Sequence, residues 1–196
     1  GGSDDNWSTA NNWSTNSVPG SNDDVKVTST SDNINIDTDV NVNSIRIEGS
    51  FSGSVLATSS KSITVTTINN FVINTSTAKF VGDDDTFDIN GDFIMNSGIA
   101  TSTSGNLKVA GSVTLYGGTF NHNSGTLIFD GGGNPFFSTN DQAFNKIKVS
   151  KSLGSRITVA GELKGHDKLT LESGELNMNG NKLTLKSGSQ PNINYH

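Results

Sequence analysis

The chain has 196 residues, of which 31% are apolar and 16% charged, with 22 glycines, no cysteine and a formal net charge of −6. Its 13 basic residues are scattered, which argues against neutralising nucleic-acid phosphates or anionic lipid, and no run of about 18 apolar residues predicts membrane insertion. Ser, Thr, Asn and Gly make up the bulk of the chain, a balance that gives disorder unless the few apolar residues recur at a fixed period.

Residues 1–24 differ in texture from the rest of the chain. Gly1-Gly2-Ser3-Asp4-Asp5 is polar and lacks the apolar h-region of a signal peptide, and a start at Gly1 without Met is what a processed chain or a cut-out fragment shows. Both tryptophans, Trp7 and Trp13, lie here six residues apart, ahead of Val18-Pro19-Gly20. Large rings and a proline suit a cap over the open end of a stacked-strand protein. The alternative is that Trp7 and Trp13 form a platform for glycan stacking. Asn6-Trp7-Ser8, Asn12-Trp13-Ser14 and Asn74-Thr75-Ser76 match the N-glycosylation acceptor, which carries little weight in a chain so rich in these residue types.

From Val25 onward apolar and polar residues alternate in short stretches, as in Val25-Lys26-Val27 and Ile34-Asn35-Ile36. Period two is the strand signature, and no stretch reads as a convincing amphipathic helix. Asn and Thr inside such strands can stack as ladders along an axis. Asp83-Asp84-Asp85 follows Gly82 and supplies the longest acidic run. Adjacent carboxylates alternate in direction, so these three hold calcium only if Gly82 allows a tight turn; the competing reading is a solvated acidic corner.

From Asn90 the pattern becomes a repeat of 20 residues. Gly91, Gly111 and Gly131 share one column, Gly98 and Gly118 a second, Gly105 and Gly125 a third. Phe87, Leu107, Leu127 and Ile147 form a fourth, and Ile89, Val109, Phe129 and Val149 a fifth. A unit that always shows its apolar residues in the same columns cannot bury its own face and must stack on the next. Two or three strands and as many glycine corners per unit describe one coil of a parallel β-helix. Nine or so coils at about 4.8 Å each predict a rod somewhat over 40 Å long.

The same register is expected again at residues 167–186, with Leu169 and Leu171 over Val113 and Leu115, and Leu183 and Leu185 over Leu127 and Phe129. Residues 131 to 167 are 36 apart instead of 40, which predicts an irregular coil at about 151–166. Val159-Ala160-Gly161 repeats Val109-Ala110-Gly111 and moves the irregularity to a corner near Lys164-Gly165-His166. The tail, Gln190 to Tyr195, still alternates and reads as an uncovered end coil. The whole chain, 1–196, is read as one domain, residues 1–24 as cap and 25–196 as coils.

Taken together, Trp7-Ser8 with Asn12-Trp13-Ser14, Val18-Pro19-Gly20, Asp23-Asp24-Val25-Lys26-Val27, Gly118-Thr119-Phe120, the run from Ser124 to Gly131 and that from Phe144 to Val149 resemble the β-solenoid repeat regions of large bacterial cell-surface and secreted proteins, adhesins included. The resemblance implies an all-β fold, a right-handed, single-stranded parallel β-helix of pectin-lyase-like type exported to the cell surface. It carries over no catalytic residue and no cofactor.

An enzyme is not expected. His122, His166 and His196 stand apart without metal-ligand spacing, no helix follows Gly131-Gly132-Gly133 to make a phosphate site, and Ser97-Gly98 and Ser124-Gly125 are corner residues. An ice-binding face needs Thr-x-Thr in one column, whereas Thr64-Val65-Thr66 and Thr101-Ser102-Thr103 do not recur at the 20-residue spacing. The expected role is structural or adhesive, with another copy of the chain as head-to-tail partner through the solenoid ends. The alternative is a carbohydrate-binding module contacting surface polysaccharide.

Overall fold

The structure is a computed structural model that describes residues 4–28, 32–58, 60–66 and 70–185, without the side chain of His166. One 3₁₀ turn, Ala10–Asn12, precedes the strands. The first winding places β1 (Asp24–Val27), β2 (Ile34–Ile36) and β3 (Val40–Val42) on three faces, and the second repeats them as β4 (Ser44–Ile47), β5 (Ser54–Ala57) and β6 (Ile63–Val65). The next windings add β7 (Phe71–Ile73), β8 (Lys79–Val81), β9 (Phe87–Ile89), β10 (Phe93–Met95), β11 (Ile99–Thr101) and β12 (Asn106–Val109). A fifth adds β13 (Val113–Leu115), β14 (Thr119–Asn121) and β15 (Thr126–Phe129). Thereafter each winding has two strands: β16 (Phe136–Ser138) and β17 (Ala143–Ser150), β18 (Arg156–Ala160) and β19 (Leu163–Ser173), β20 (Glu175–Asn177) and β21 (Leu183–Leu185).

Every described pairing between these strands is parallel, and each strand bonds to its counterparts in neighbouring windings. The first sheet runs β1-β4-β7-β10-β13-β16-β18-β20, the second β2-β5-β8-β11-β14, and the third β3-β6-β9-β12-β15-β17-β19-β21. The described residues therefore form a parallel β-solenoid of about eight turns, against the nine or so expected for the whole chain. Part of the difference lies in winding length: from Ile45 to Phe71 takes 26 residues and from Val113 to Phe137 takes 24. No helix among the described residues is long and apolar enough to cross a membrane.

The fourth and fifth sequence columns are rungs of the third sheet, Phe87↔Leu107↔Leu127↔Ile147 and Ile89↔Val109↔Phe129↔Val149. All eight side chains are 0–5% exposed, because alternate residues of a strand point the same way and the closed winding turns that way inward. Phenylalanines fill the widest part of the core, where Phe71 meets Phe80 edge to face at 5.0 Å and Phe93 in a stacked pair at 5.7 Å. The space left between these rings and Ala100 is about 10 Å³, room for no more than one water.

The register expected for residues 167–186 is corrected. Leu169 and Leu171 pair with Ile147 and Val149 in the third sheet, and the residues that continue the Val113 column are Phe137 and Val159. Likewise the Val-Ala-Gly likeness joins different faces, since Val109 lies in the third sheet and Val159 in the first. Glycine serves corners on more than one face, so likeness between corners does not report which corner it is. Nor is there a corner at Lys164-Gly165: both lie in the eleven-residue β19. The irregularity takes the form of two register shifts against β17, between Phe144 and Lys146 and between Val149 and Ser150.

Candidate functional site

Three places combine chemistry-bearing side chains with unusual burial: the N-terminal tryptophans, the acidic corner after Gly82, and the corner that holds Lys151. The N-terminal segment joins the solenoid through the second sheet. The Asn35 amide donates to the Asp5 carbonyl at 2.7 Å, the Trp7 amide donates to the Asn35 carbonyl at 2.8 Å, and Asn6 and Asn35 form a parallel bridge. Residues 5–7 thus add a short rung below β2, the terminal strand of that sheet. Trp7 is 1% exposed and belongs to the core, while the half-buried Trp13 packs edge-on against it at 4.6 Å and donates from Nε1 to the Trp7 carbonyl at 2.8 Å. A sugar needs an open ring face, and Trp7 offers none. Asp4 fastens the segment by accepting from the Asn6 amide, the Thr9 hydroxyl and the Asn12 side chain, which hold its carboxylate below the usual range.

The carboxylates of Asp83-Asp84-Asp85 do not converge. Asp84 accepts the Ser60 amide at 3.1 Å and Asp85 accepts the Lys61 amide, both from the winding below. Asp83 and Asp84 are exposed, whereas Asp85 is 3% exposed with Oδ2 meeting no donor. Among the described residues no group of three or more His, Cys, Asp or Glu side chains is placed to hold a metal. Burial pushes the Asp85 carboxyl above its ordinary range against the Lys61 amide, and the charges of Asp84, Asp83 and Asp39 push the same way as burial. The winding above is tied in as well: the Thr103 hydroxyl, 0% exposed, donates to the Asp83 and Asp85 carbonyls.

Lys151 escaped the reading of the sequence. Its side chain is 1% exposed, and its ammonium donates to the carbonyls of Asp130 at 2.7 Å, Ala110 at 2.8 Å and Gly132 at 2.9 Å. Burial pushes its pKa down and the Asp130 carboxylate opposes that; burial and Asp88 in turn push Asp130 up. The signal was present, since Lys151 stands 20 residues beyond Gly131 in the column of Gly91, Gly111 and Gly131.

The remaining candidates serve turns or separate faces. His122 Nδ1 accepts the Ser124 amide at 3.0 Å within its own corner; the His166 side chain, His196 and the tail from Gln190 to Tyr195 lie outside the described residues. Thr64 is in the third sheet and Thr101 in the second, so the two Thr-x-Thr fragments share no face. Among the described residues, Asn96 donates to Asn74 at 2.9 Å at a corner, and Asn121 to Thr101 at 3.4 Å between β14 and β11. Lysines scattered in the sequence collect on the third sheet beside carboxylates, Lys148 with Glu172 at 2.8 Å, Lys108 with Asp88 at 3.8 Å and Lys146 with Asp167 at 3.9 Å. Tyr116 and Phe136 are 69% and 60% exposed beside neighbouring strands of the first sheet, and Leu153 is 93% exposed in a corner. No protein-family model, no curated protein and no solved structure matches the chain.

Proposed function

We propose that this chain is a non-catalytic extracellular solenoid with a structural or adhesive role, joining copies end to end into a surface filament, as the pectin-lyase-like repeat regions of bacterial adhesins that its sequence resembles would imply. The observation that carries this reading is the difference between its two ends. At the N-terminal end residues 5–7 cover β2, leaving β1 and β3 as the terminal strands of the first and third sheets. Among the described residues, the second sheet has at the other end already stopped at β14, and β20 and β21 are the last strands of those same two sheets. Head-to-tail stacking would set β20 against β1 and β21 against β3 of the next copy, continuing both eight-stranded sheets.

Two further features support it. A terminal strand carries unpaired N–H and C=O groups that another chain's strand completes. Leu171, Leu176, Met178 and Leu183 near the C-terminal end are only partly buried, whereas Val149, Ile157 and Val159 are 0% exposed. A contact of this kind does not close on itself, so it propagates as an open filament.

Sedimentation velocity over a concentration series tests the reading. The full chain is expected to associate progressively, and Leu176→Asp to remain monomeric with an unchanged circular dichroism spectrum. A wild-type chain that stays monomeric across the series would overturn it. A second reading, contact with polysaccharide, is favoured by the exposed rings of Tyr116 and Phe136 on one sheet. Retardation in gels containing a neutral polysaccharide, lost in Tyr116→Ala/Phe136→Ala, is the outcome it expects; unretarded wild type on every polysaccharide tried would dismiss it.

A further inference from the structure

We propose that the carbonyls of Ala110, Asp130 and Gly132 form a monovalent-cation site, which the chain fills with its own Lys151 ammonium, and that this internal cation ties non-adjacent windings into one cooperative unit. An ammonium has three N–H donors, and here each has a carbonyl acceptor at 2.7–2.9 Å. No donor is left over inside a residue that is 1% exposed. An alkylammonium and a potassium or ammonium ion ask the same of a site, a ring of carbonyl oxygens carrying no net charge of their own, so the chemical class of ligand is a weakly hydrated monovalent cation.

The tie is longer than a solenoid ordinarily makes. Ala110 follows the strand β12 of the fourth winding, Asp130 and Gly132 follow β15 of the fifth, and Lys151 follows β17 of the sixth. The Lys151 amide also donates to the Ser173 carbonyl of the seventh at 3.1 Å. Backbone ladders join each winding only to its neighbours, which lets such proteins fray from an end one repeat at a time. A side chain that reaches two windings back removes that freedom locally. It does so where the cross-section changes from three sheets to two, since β14 is the last strand of the second sheet. The surroundings are built to admit it: a Cβ added at Gly174 would lie 2.7 Å from the Lys151 Cβ, and Gly174 turns with φ +84°.

Two measurements on the full chain test this. Native-state hydrogen exchange should give the amides of β12, β15, β17 and β19 one common opening free energy in the wild type. In Lys151→Met, protection should fall at least tenfold in β17, β19 and β21 and stay within a factor of about two in β4 to β9. In Lys151→Ala, which empties the carbonyl site, potassium or ammonium chloride should raise the unfolding temperature more than lithium chloride at equal ionic strength, an order that neither the wild type nor Lys151→Met shows. Loss of protection spread evenly over the chain, or no loss, overturns the cooperative unit; indifference of Lys151→Ala to the identity of the cation overturns the site. Should Lys151→Met fail to fold, separate opening free energies for β12 and β17 in the wild type would still count against the proposal.

Discussion

At Asp85 a corner carboxylate that would ordinarily face solvent is 3% exposed and keeps one oxygen without a donor. Because its pKa is raised in the folded chain, the stability it contributes is complete below its unfolded value of about 3.9 and is lost as pH rises through the folded value. Asp85→Asn, which mimics the neutral acid, is therefore expected to gain on the wild type as pH rises, in urea unfolding at a series of pH values; a gap that shrinks with pH would contradict the assignment. Asp24 has the opposite sense: the Ser44 hydroxyl and the Asn43 amide hold it below the ordinary range, so its contribution disappears on acidification. Glycine corners were legible in the sequence, but their reasons were not uniform. Gly98 and Gly118 take positive φ, +84° and +81°, whereas in the Ser124-Gly125 corner it is Ser124 that turns left-handed, at +59°. Gly125 is required by contact instead, since a Cβ there would lie 2.1 Å from the Thr103 carbonyl oxygen. Gly125→Ala should cost more than about 2 kcal/mol in the same unfolding experiment. Alternation could not have found Lys151, a lysine at a polar corner position; only its place in the column of Gly91, Gly111 and Gly131 set it apart.

The register of the third sheet over residues 87–149 was readable because its apolar columns keep a constant spacing of 20. Where the spacing changes, from 20 between Leu127 and Ile147 to 22 between Ile147 and Leu169, the columns drift and sequence likeness at corners misled. The second sheet ends at β14, and register places Asn145 in the column of Gly105 and Gly125. There Ala143–Ser150 forms one eight-residue strand, with the Asn145 side-chain amide donating to the Ser124 carbonyl at 2.9 Å. The register of adjacent elements is open to a direct check in a chain without cysteine. Lys108 and Ile128 are outward-facing Cα partners in β12 and β15. Parallel neighbours about 4.8 Å apart are within disulfide reach, so Lys108→Cys/Ile128→Cys should oxidise to a monomeric cross-linked species under non-reducing electrophoresis, and Lys108→Cys/Leu153→Cys should not. Equal cross-linking of both would argue against the register.

Over the whole molecule, about eight windings at a rise of about 4.8 Å give a rod near 38 Å long. Among the described residues its first and third sheets run through every winding, and its second sheet is met by residues 5–7 below β2 and stops at β14 above. Under the proposed end-to-end stacking that geometry would let copies continue one another, and composition alone would not have suggested it, because partly buried Leu171, Leu176, Met178 and Leu183 have the same residue types as the core. Cryo-electron microscopy of the concentrated full chain bears most directly on this. Unbranched filaments are expected, in which the 4.8 Å strand spacing runs along the filament axis and the first and third sheets pass without interruption from one copy to the next. Monomers alone at high concentration, or filaments whose strand spacing runs across the axis, would refute end-to-end continuation of the sheets.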